Sequence, residues 1–354
     1  MELKDPIAQP ADQILVTGAS GFIGTKVLEK LLEFGFRRIR CFTRSSGGSR
    51  RMREIIRQHG DRATIEVMTG NLLSREDCLA AARDAVIIYH LAAGRGEKSF
   101  PDAFMNSVVT TRNLLDAVLQ HNCLRRFINI SSFATYTNRD KPNGRVLDEM
   151  CPAEEHPELR GDPYCYAKVK QDELVKDYGE RRGVPYVILK PGYVYGPGNP
   201  GITGRVGIDT FGIFLHLGGG NPVPLSYVDN CADAIVLAGL KPGINGEVFN
   251  VVDDCLPSSR KFLRQYKRNV GHFRSVYLPR FVSYLFCALW ERYSDWSEGQ
   301  LPPSFNRRRW HAEWKGSRYS NQKLKTRLGW EPRVSLAEGL ALHFAGCREK
   351  HRHA

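Results

Sequence analysis

Two periodicities alternate along this chain. The run Gln13-Ile-Leu-Val-Thr17 is apolar and of strand length, ends in a glycine-rich turn, and is followed from Phe22 to Phe34 by apolar residues at helical spacing. The alternation then repeats. Strands are predicted at Arg38–Thr43, Thr64–Met68, Val86–Leu91, Arg126–Ser131 and Pro185–Lys190, with helices near Ser74–Arg83, Asp102–His121 and Tyr164–Arg182. Apolar strands separated by amphipathic helices are the pattern of a parallel sheet covered on both faces. The expected fold is therefore a Rossmann-type, doubly wound α/β domain.

The pattern changes after Pro191. Gly and Pro crowd residues 192–224, and later elements are shorter. Leu225–Val228 and Glu247–Val252 look like strands that return to the main sheet, joined by a helix of small residues over Asn230–Leu240. The domain plan is a leader (1–12), a dinucleotide-binding domain (13–190, rejoined by 225–255), a smaller substrate-binding cap (191–224 and 256–345) and a basic tail (346–354). Residues 277–290 are apolar on nearly every side. A buried cap helix is the first expectation there. The alternative is a helix resting on a membrane surface through 277–292, with Arg280 and Arg292 at its flanks.

Composition narrows the class. With 42% hydrophobic and 25% charged residues the chain can build a packed core, which excludes general disorder. The formal charge of +13 admits nucleic acid, membrane surface or anionic small molecules as partners. No basic stripe interleaved with aromatics is present, so nucleic acid is not expected. Nine cysteines, without a C-x-x-C pair, make neither a zinc nor a disulfide framework, and no metal is expected. The polar N-terminus and the lack of a membrane-length apolar run point to the cytoplasm.

The chemistry begins at Thr17-Gly18-Ala19-Ser20-Gly21-Phe22-Ile23-Gly24. Glycines three apart, after a strand and at a helix start, allow a tight turn, close approach of a pyrophosphate and close helix–strand packing. The helix N-terminus adds N–H donors and partial positive charge. An NAD-preferring site would carry an acid at the end of the second strand, whereas this chain has Thr43-Arg44. Arg44 suits the 2′-phosphate of NADP, so NADP is preferred over NAD.

Tyr164 and Lys168 stand four apart on a predicted helix and so share a face. A free tyrosine has a pKa near 10, and a neighbouring ammonium favours the phenolate, which makes the pair an acid–base device. Ser131-Ser132 closes the strand preceding this helix and supplies a hydroxyl for the same reacting oxygen, and Asn106 lies near the start of the helix before it, as a further cofactor-side residue.

These segments together resemble the extended short-chain dehydrogenases/reductases, also called the NAD-dependent epimerase/dehydratase family. Matching in order are the glycine turn, Gly70-Asn71-Leu72, His90-Leu91-Ala92-Ala93, Ser131-Ser132, Tyr164 with Lys168, Lys190-Pro191 with Tyr195-Gly196-Pro197-Gly198, and Tyr227-Val228-Asp229-Asn230. Leu328-Gly329-Trp330-Glu331-Pro332 and Glu338-Gly339-Leu340 match near the C-terminus. The resemblance implies that Tyr164 is the acid/base, Lys168 holds the nicotinamide ribose and tunes it, and Ser132 is the hydroxyl partner, with Ser131 structural or cofactor-facing. It implies further that Gly18, Gly21, Phe22, Ile23 and Gly24 hold the pyrophosphate, Ala92, Ala93 and Pro191 line the nicotinamide pocket, and Asn71 and Leu72 lie near the adenine. His90 is read as a packing residue, and a homodimer is expected.

Within the family, two departures matter. Tyr193 stands where nucleotide-sugar enzymes usually have an Asn, and Asn221-Pro-Val-Pro-Leu225 lacks their phosphate-binding Arg. The segments 190–198 and 227–230 are closer to the 3β-hydroxysteroid dehydrogenase and dihydroflavonol reductase branch. The reading is thus an oxidoreductase acting on a small secondary alcohol or ketone. Arg205 or Arg307–Arg309 as phosphate contacts keep an epimerase or dehydratase open. A non-catalytic cofactor sensor is the third alternative, disfavoured because Ser132, Tyr164 and Lys168 are all present.

Overall fold

A computed structural model of the chain describes residues 5–45, 47–94, 99–139, 144–210, 212–298, 300 and 305–352. In the first half, β1 (Gln13–Thr17), α1 (Phe22–Glu33), β2 (Arg38–Thr43), α2 (Arg50–His59), β3 (Thr64–Thr69), α3 (Arg75–Ala82) and β4 (Ala85–His90) alternate. Next come α4 (Phe100–Phe104), a π-helical turn (Met105–Val109) leading into α5 (Thr110–His121), β5 (Arg126–Ile130), β6 (Val146–Leu147), α6 (Pro163–Arg182) and β7 (Tyr186–Pro191). The remainder holds β8 (Tyr193–Tyr195), β9 (Gly207–Thr210), β10 (Ile213–His216), β11 (Leu225–Tyr227), α7 (Val228–Leu240), β12 (Val248–Val251) and α8 (Ser259–Asn269). After these follow β13 (Ser275–Tyr277), α9 (Arg280–Trp296), α10 (Arg307–Glu313), β14 (Arg318–Tyr319), α11 (Gln322–Leu328) and α12 (Leu336–Arg352).

Seven strands form one sheet in the order β12-β7-β5-β4-β1-β2-β3, and every pairing in it is parallel. The chain starts at β1, winds outward through β2 and β3, and returns to place β4 on the other side of β1. That reversal opens a crevice at the carboxyl ends of β1 and β4, where α/β sheets bind ligands.

Alternation along the strands explains the two covered faces. Ile14 and Val16 of β1 join one core with α1 and α7, while Leu15 joins the other with α3, α5 and α6. Helix α7 is buried at nearly every position, which its small residues permit. Trp330, just after α11, closes that core, and its indole Nε1 donates to the Asn230 carbonyl at 3.0 Å.

The structure corrects several expectations. Glu247–Val252 does return to the main sheet as β12, but Leu225–Tyr227 pairs with β8 in a separate two-stranded sheet, because Tyr193 to Tyr195 peels away after Pro191 and offers an edge nearer to it. Helix α2 was not foreseen. Only Met52 and Ile55 are buried on it, so its charged sequence carries little apolar signal. The leader is tied down where described: Ala8 is buried and Ile7 N–H donates to the Leu240 carbonyl at 3.0 Å. The expected basic tail is the end of α12, which runs to Arg352 with Cys347 buried, while residues 1–4 and 353–354 lie outside the described residues. Nor is α9 a buried helix. Ser283, Cys287 and Ser294 face inward, where α10 packs, but Phe281, Leu289 and Trp296 are exposed among the described residues.

Trp330→Ala should destabilise the fold by about 3–5 kcal/mol, read as a lower urea midpoint, because it empties a fully buried indole site.

Candidate active site

The glycine turn is built by close approach. Gly18 has φ +69°, and a Cβ there would meet the Ala92 nitrogen at 2.9 Å; at Gly24 a Cβ would lie 2.1 Å from the Gly18 carbonyl oxygen. Helix α1 begins at Gly21 with no side-chain cap, whereas Ser49, Ser74 and Asp162 cap α2, α3 and α6. Its first N–H groups thus face the crevice without a side chain competing for them. This cradle, closed to any Cβ, fits a dinucleotide pyrophosphate.

A cleft of about 540 Å³ opens at the switch point. Its walls bring together Gly18, Gly21, Phe22, Ile23 and Gly24 with Ser132, Tyr164, Lys168, Ala93 and Pro191. Residues more than a hundred positions apart in sequence meet here because β1, β4, β5 and β7 all end on one edge.

Lys168 is buried and reaches under the sheet. Its ammonium donates to the Ile130 carbonyl at 2.7 Å and to Gln171 Oε1 at 2.9 Å. Burial brings its pKa down to about 8, opposed by the charge of Asp172. Gln171 Nε2 donates to Thr111 Oγ1 at 2.7 Å, and the Thr111 hydroxyl donates to the Ser107 carbonyl. With its proton so committed, Thr111 must accept from His90 Nε2 at 2.9 Å. His90 Nδ1 then accepts from the Thr17 hydroxyl at 2.8 Å, and Thr17 Oγ1 accepts from the Ala92 N–H at 3.3 Å. Burial, and secondarily the Lys168 charge, push His90 down to about 3, so it stays neutral as this relay requires. Its reading as a packing residue becomes more specific: His90 links the lysine's partners to the glycine turn.

Ser131 is structural. It donates to Asp172 Oδ2 at 2.7 Å, beside Asn129 on Oδ1 at 3.0 Å and Lys190 at 3.5 Å. Ser132 Oγ accepts from the Ala134 N–H at 3.1 Å, an arrangement that leaves its O–H to donate into the cleft.

Other expected cofactor residues lie outside the cleft walls. Ala92 packs on Gly18 rather than lining the space, and Leu72 is a core residue. Asn71 is exposed and uses its Oδ1 to accept from the Leu73 N–H at 3.0 Å, so its side chain holds a local turn. Asn106 sits half-buried in the π-helical turn and Arg44 is exposed after β2. In the other direction, the cleft includes Leu91, Gly94, Arg160 and Glu313, which were not assigned to the site beforehand, and Tyr193, Arg205 and Arg309, which were weighed only as possible substrate contacts. Arg205 bonds the Ala312 carbonyl at 2.9 Å and Arg309 pairs with Glu313 at 3.2 Å, so both come from the cap. Among the described residues no cluster of His, Cys, Asp or Glu could hold a metal.

The model of the NAD dependent epimerase/dehydratase family matches residues 14–251. The chain belongs to that family. Among its relatives, cinnamoyl-CoA reductase 1 of Oryza sativa subsp. japonica is 26% identical over 186 residues, 52% of this chain and 54% of that one. The chain thus spans about half the length of that relative. UDP-glucose 4-epimerase of Mycolicibacterium smegmatis is 26% identical across 92% of this chain and 96% of its own length. The solved UDP-glucuronic acid 4-epimerase of Bacillus cereus, in complex with NAD, superposes with a TM-score of 0.71 at 22% identity, covering 97% and 98% of the two chains. That last likeness speaks for the fold. The relatives it resembles include both a reductase and an epimerase.

If the Lys168 ammonium holds the nicotinamide ribose, its loss should weaken binding. It is charged below about pH 8 and neutral above, so cofactor affinity should fall between pH 7 and 9.5 in fluorescence titrations. Lys168→Met should bind weakly at pH 7 and show a flat profile.

Proposed function

We propose that this family member is an oxidoreductase that moves hydride between a nicotinamide cofactor and the carbinol or keto carbon of a small molecule. One observation carries this reading: Ser132, Tyr164 and Lys168 line the same cleft as the glycine turn. The bound nicotinamide would supply or accept the hydride. Tyr164 would give a proton to, or take one from, the substrate oxygen, and Ser132 would donate a hydrogen bond to that oxygen. Lys168 has two of its three N–H groups committed to Ile130 and Gln171. The third remains for the ribose, and its charge stabilises the phenolate of Tyr164.

For the cofactor we favour NADP. Arg44 follows β2 where an NAD site would place an acid, and it is exposed enough to meet a 2′-phosphate. The NAD in the name of the family and in the related complex is the competing reading. Arg44→Ala should cost NADP affinity roughly ten-fold or more while leaving NAD affinity within about two-fold, measured by titration.

A second reading has its own support. Arg205 and Arg309 place two guanidinium groups in the cap wall of the cleft, a charge suited to a diphosphate. With the near full-length likeness to a UDP-glucose 4-epimerase, this favours a nucleotide-sugar epimerase or dehydratase that returns hydride internally.

Nicotinamide absorbance separates the two when purified protein is offered 3-hydroxysteroids and nucleotide-sugars in turn. Net reduction with an apolar alcohol supports the oxidoreductase. An altered sugar nucleotide without net reduction overturns it in favour of the epimerase. In either case Tyr164→Phe should lower kcat by about 10²–10⁴ with cofactor affinity unchanged.

A further inference from the structure

Helix α9 is apolar on two opposite faces. The inner face is satisfied: Ser283 accepts from Trp310 Nε1 at 2.9 Å, Tyr284 meets the Trp310 ring edge-on at 5.0 Å, and Glu291 pairs with Arg307 at 2.7 Å. The outer face carries Phe281, Val282, Leu285, Phe286, Leu289 and Trp296. Their spacing of i, i+1, i+4, i+5, i+8 and i+15 gathers them into one stripe roughly 140° wide at the helical repeat. Phe281 is 76% exposed, Leu289 58% and Trp296 77%. Tyr293 stacks on Trp296 at 5.7 Å at the end of the stripe. Single exposed apolar residues are ordinary, but a contiguous helical face of this kind marks a binding surface.

Charge names the occupant. Between Asp254 and Glu291 the chain has no Asp or Glu and seven Lys and Arg. Arg260, Lys261, Arg264, Arg268 and Arg274 are exposed on α8 and the loop that follows it. This basic row joins the apolar stripe through β13, which leads directly into α9. The Arg260 guanidinium lies 5.3 Å from the Tyr277 ring centre, and Lys267 donates to Ser275 at 2.6 Å. A second copy meeting this face across a two-fold axis would set one acid-free basic row near another. A partner both greasy and anionic suits it. No helix among the described residues is long and apolar enough to cross a membrane, so contact would lie in the plane of the surface.

We propose that α9, together with the basic row of α8 that meets β13 just ahead of it, docks this protein onto anionic lipid bilayers. The apolar stripe enters the boundary between headgroups and acyl chains, and the arginines and lysines face lipid phosphates. Tyr293 and Trp296 sit at the headgroup level, where amphipathic rings are favoured. On its other side α9 packs against α10, whose Arg309 and Glu313 line the cleft, so docking brings a wall of the cleft close to the bilayer. The proposal does not depend on which reaction the cleft performs.

Co-sedimentation of the full chain with vesicles tests it, comparing phosphatidylcholine alone with a 7:3 phosphatidylcholine–phosphatidylglycerol mixture. Binding to the mixture should be at least about ten-fold stronger and should fall steeply as salt is raised. Leu285→Asp with Leu289→Asp should abolish binding while circular dichroism and cofactor titration stay unchanged. Arg264→Glu with Arg268→Glu, which spares the apolar stripe, should remove the preference for the anionic mixture. No binding to either vesicle, or equal binding by the Leu285/Leu289 variant, overturns the proposal. So does a concentration-dependent dimer lost in that variant without vesicle binding, which would make the face a contact between copies.

Discussion

A buried ammonium organises this molecule. Lys168 lies beneath the carboxyl edge of the sheet, where an unpaired charge would be costly, and the surrounding structure is arranged to satisfy it. Its bonds to the Ile130 carbonyl and to Gln171 fix α6 against β5. From Gln171 the hydrogen bonds continue through Thr111 and His90 to Thr17, at the foot of the glycine turn. One connected set of polar groups therefore spans the helix that carries Tyr164 and Lys168 and the strand that leads into the glycine turn. Since each member is satisfied only if its neighbours keep their places, the set ties register and orientation together.

The sheet topology supplies what this network cannot. Parallel strands bring every carboxyl end to one edge, and the reversal between β1 and β4 opens a crevice there. The glycine turn, Ser132, Lys168 and Pro191 all follow or flank strand ends there. Beside it, the Asp172 carboxylate gathers Ser131, Asn129 and Lys190, which accounts for two adjacent serines with different duties. Ser131 faces the buried carboxylate while Ser132 faces the cleft. The later segments add Arg205 and Arg309 to the cleft, so its two walls come from the sheet and from residues beyond Pro191.

Much of the cofactor side was legible in the sequence. The turn at Gly18–Gly24 was legible because its geometry is local, and Tyr164 and Lys168 come to one cleft because four residues make one helical turn. Ala92, Leu72 and Asn71 lie outside the cleft walls. Their motifs lie at the right strand ends, yet whether a side chain faces space, core or a local turn depends on the elements packed over it. Arg205 and the Arg307–Arg309 run could be named as possible phosphate contacts, but nothing in the run says that Arg309 is the one that meets a cleft more than a hundred residues away.

The sequence by itself determined the alternation of strands and helices, the glycine turn and the placing of Tyr164 and Lys168 on one helical face, because each rests on spacing within a few residues. Tertiary structure alone decided the partners of Lys168, the pairing of β11 with β8 and the exposure of α9. A helix apolar on every side carries no mark of which face will be covered. Coverage depends on what the chain lays against it, and here α10 covers one face and leaves the other to solvent.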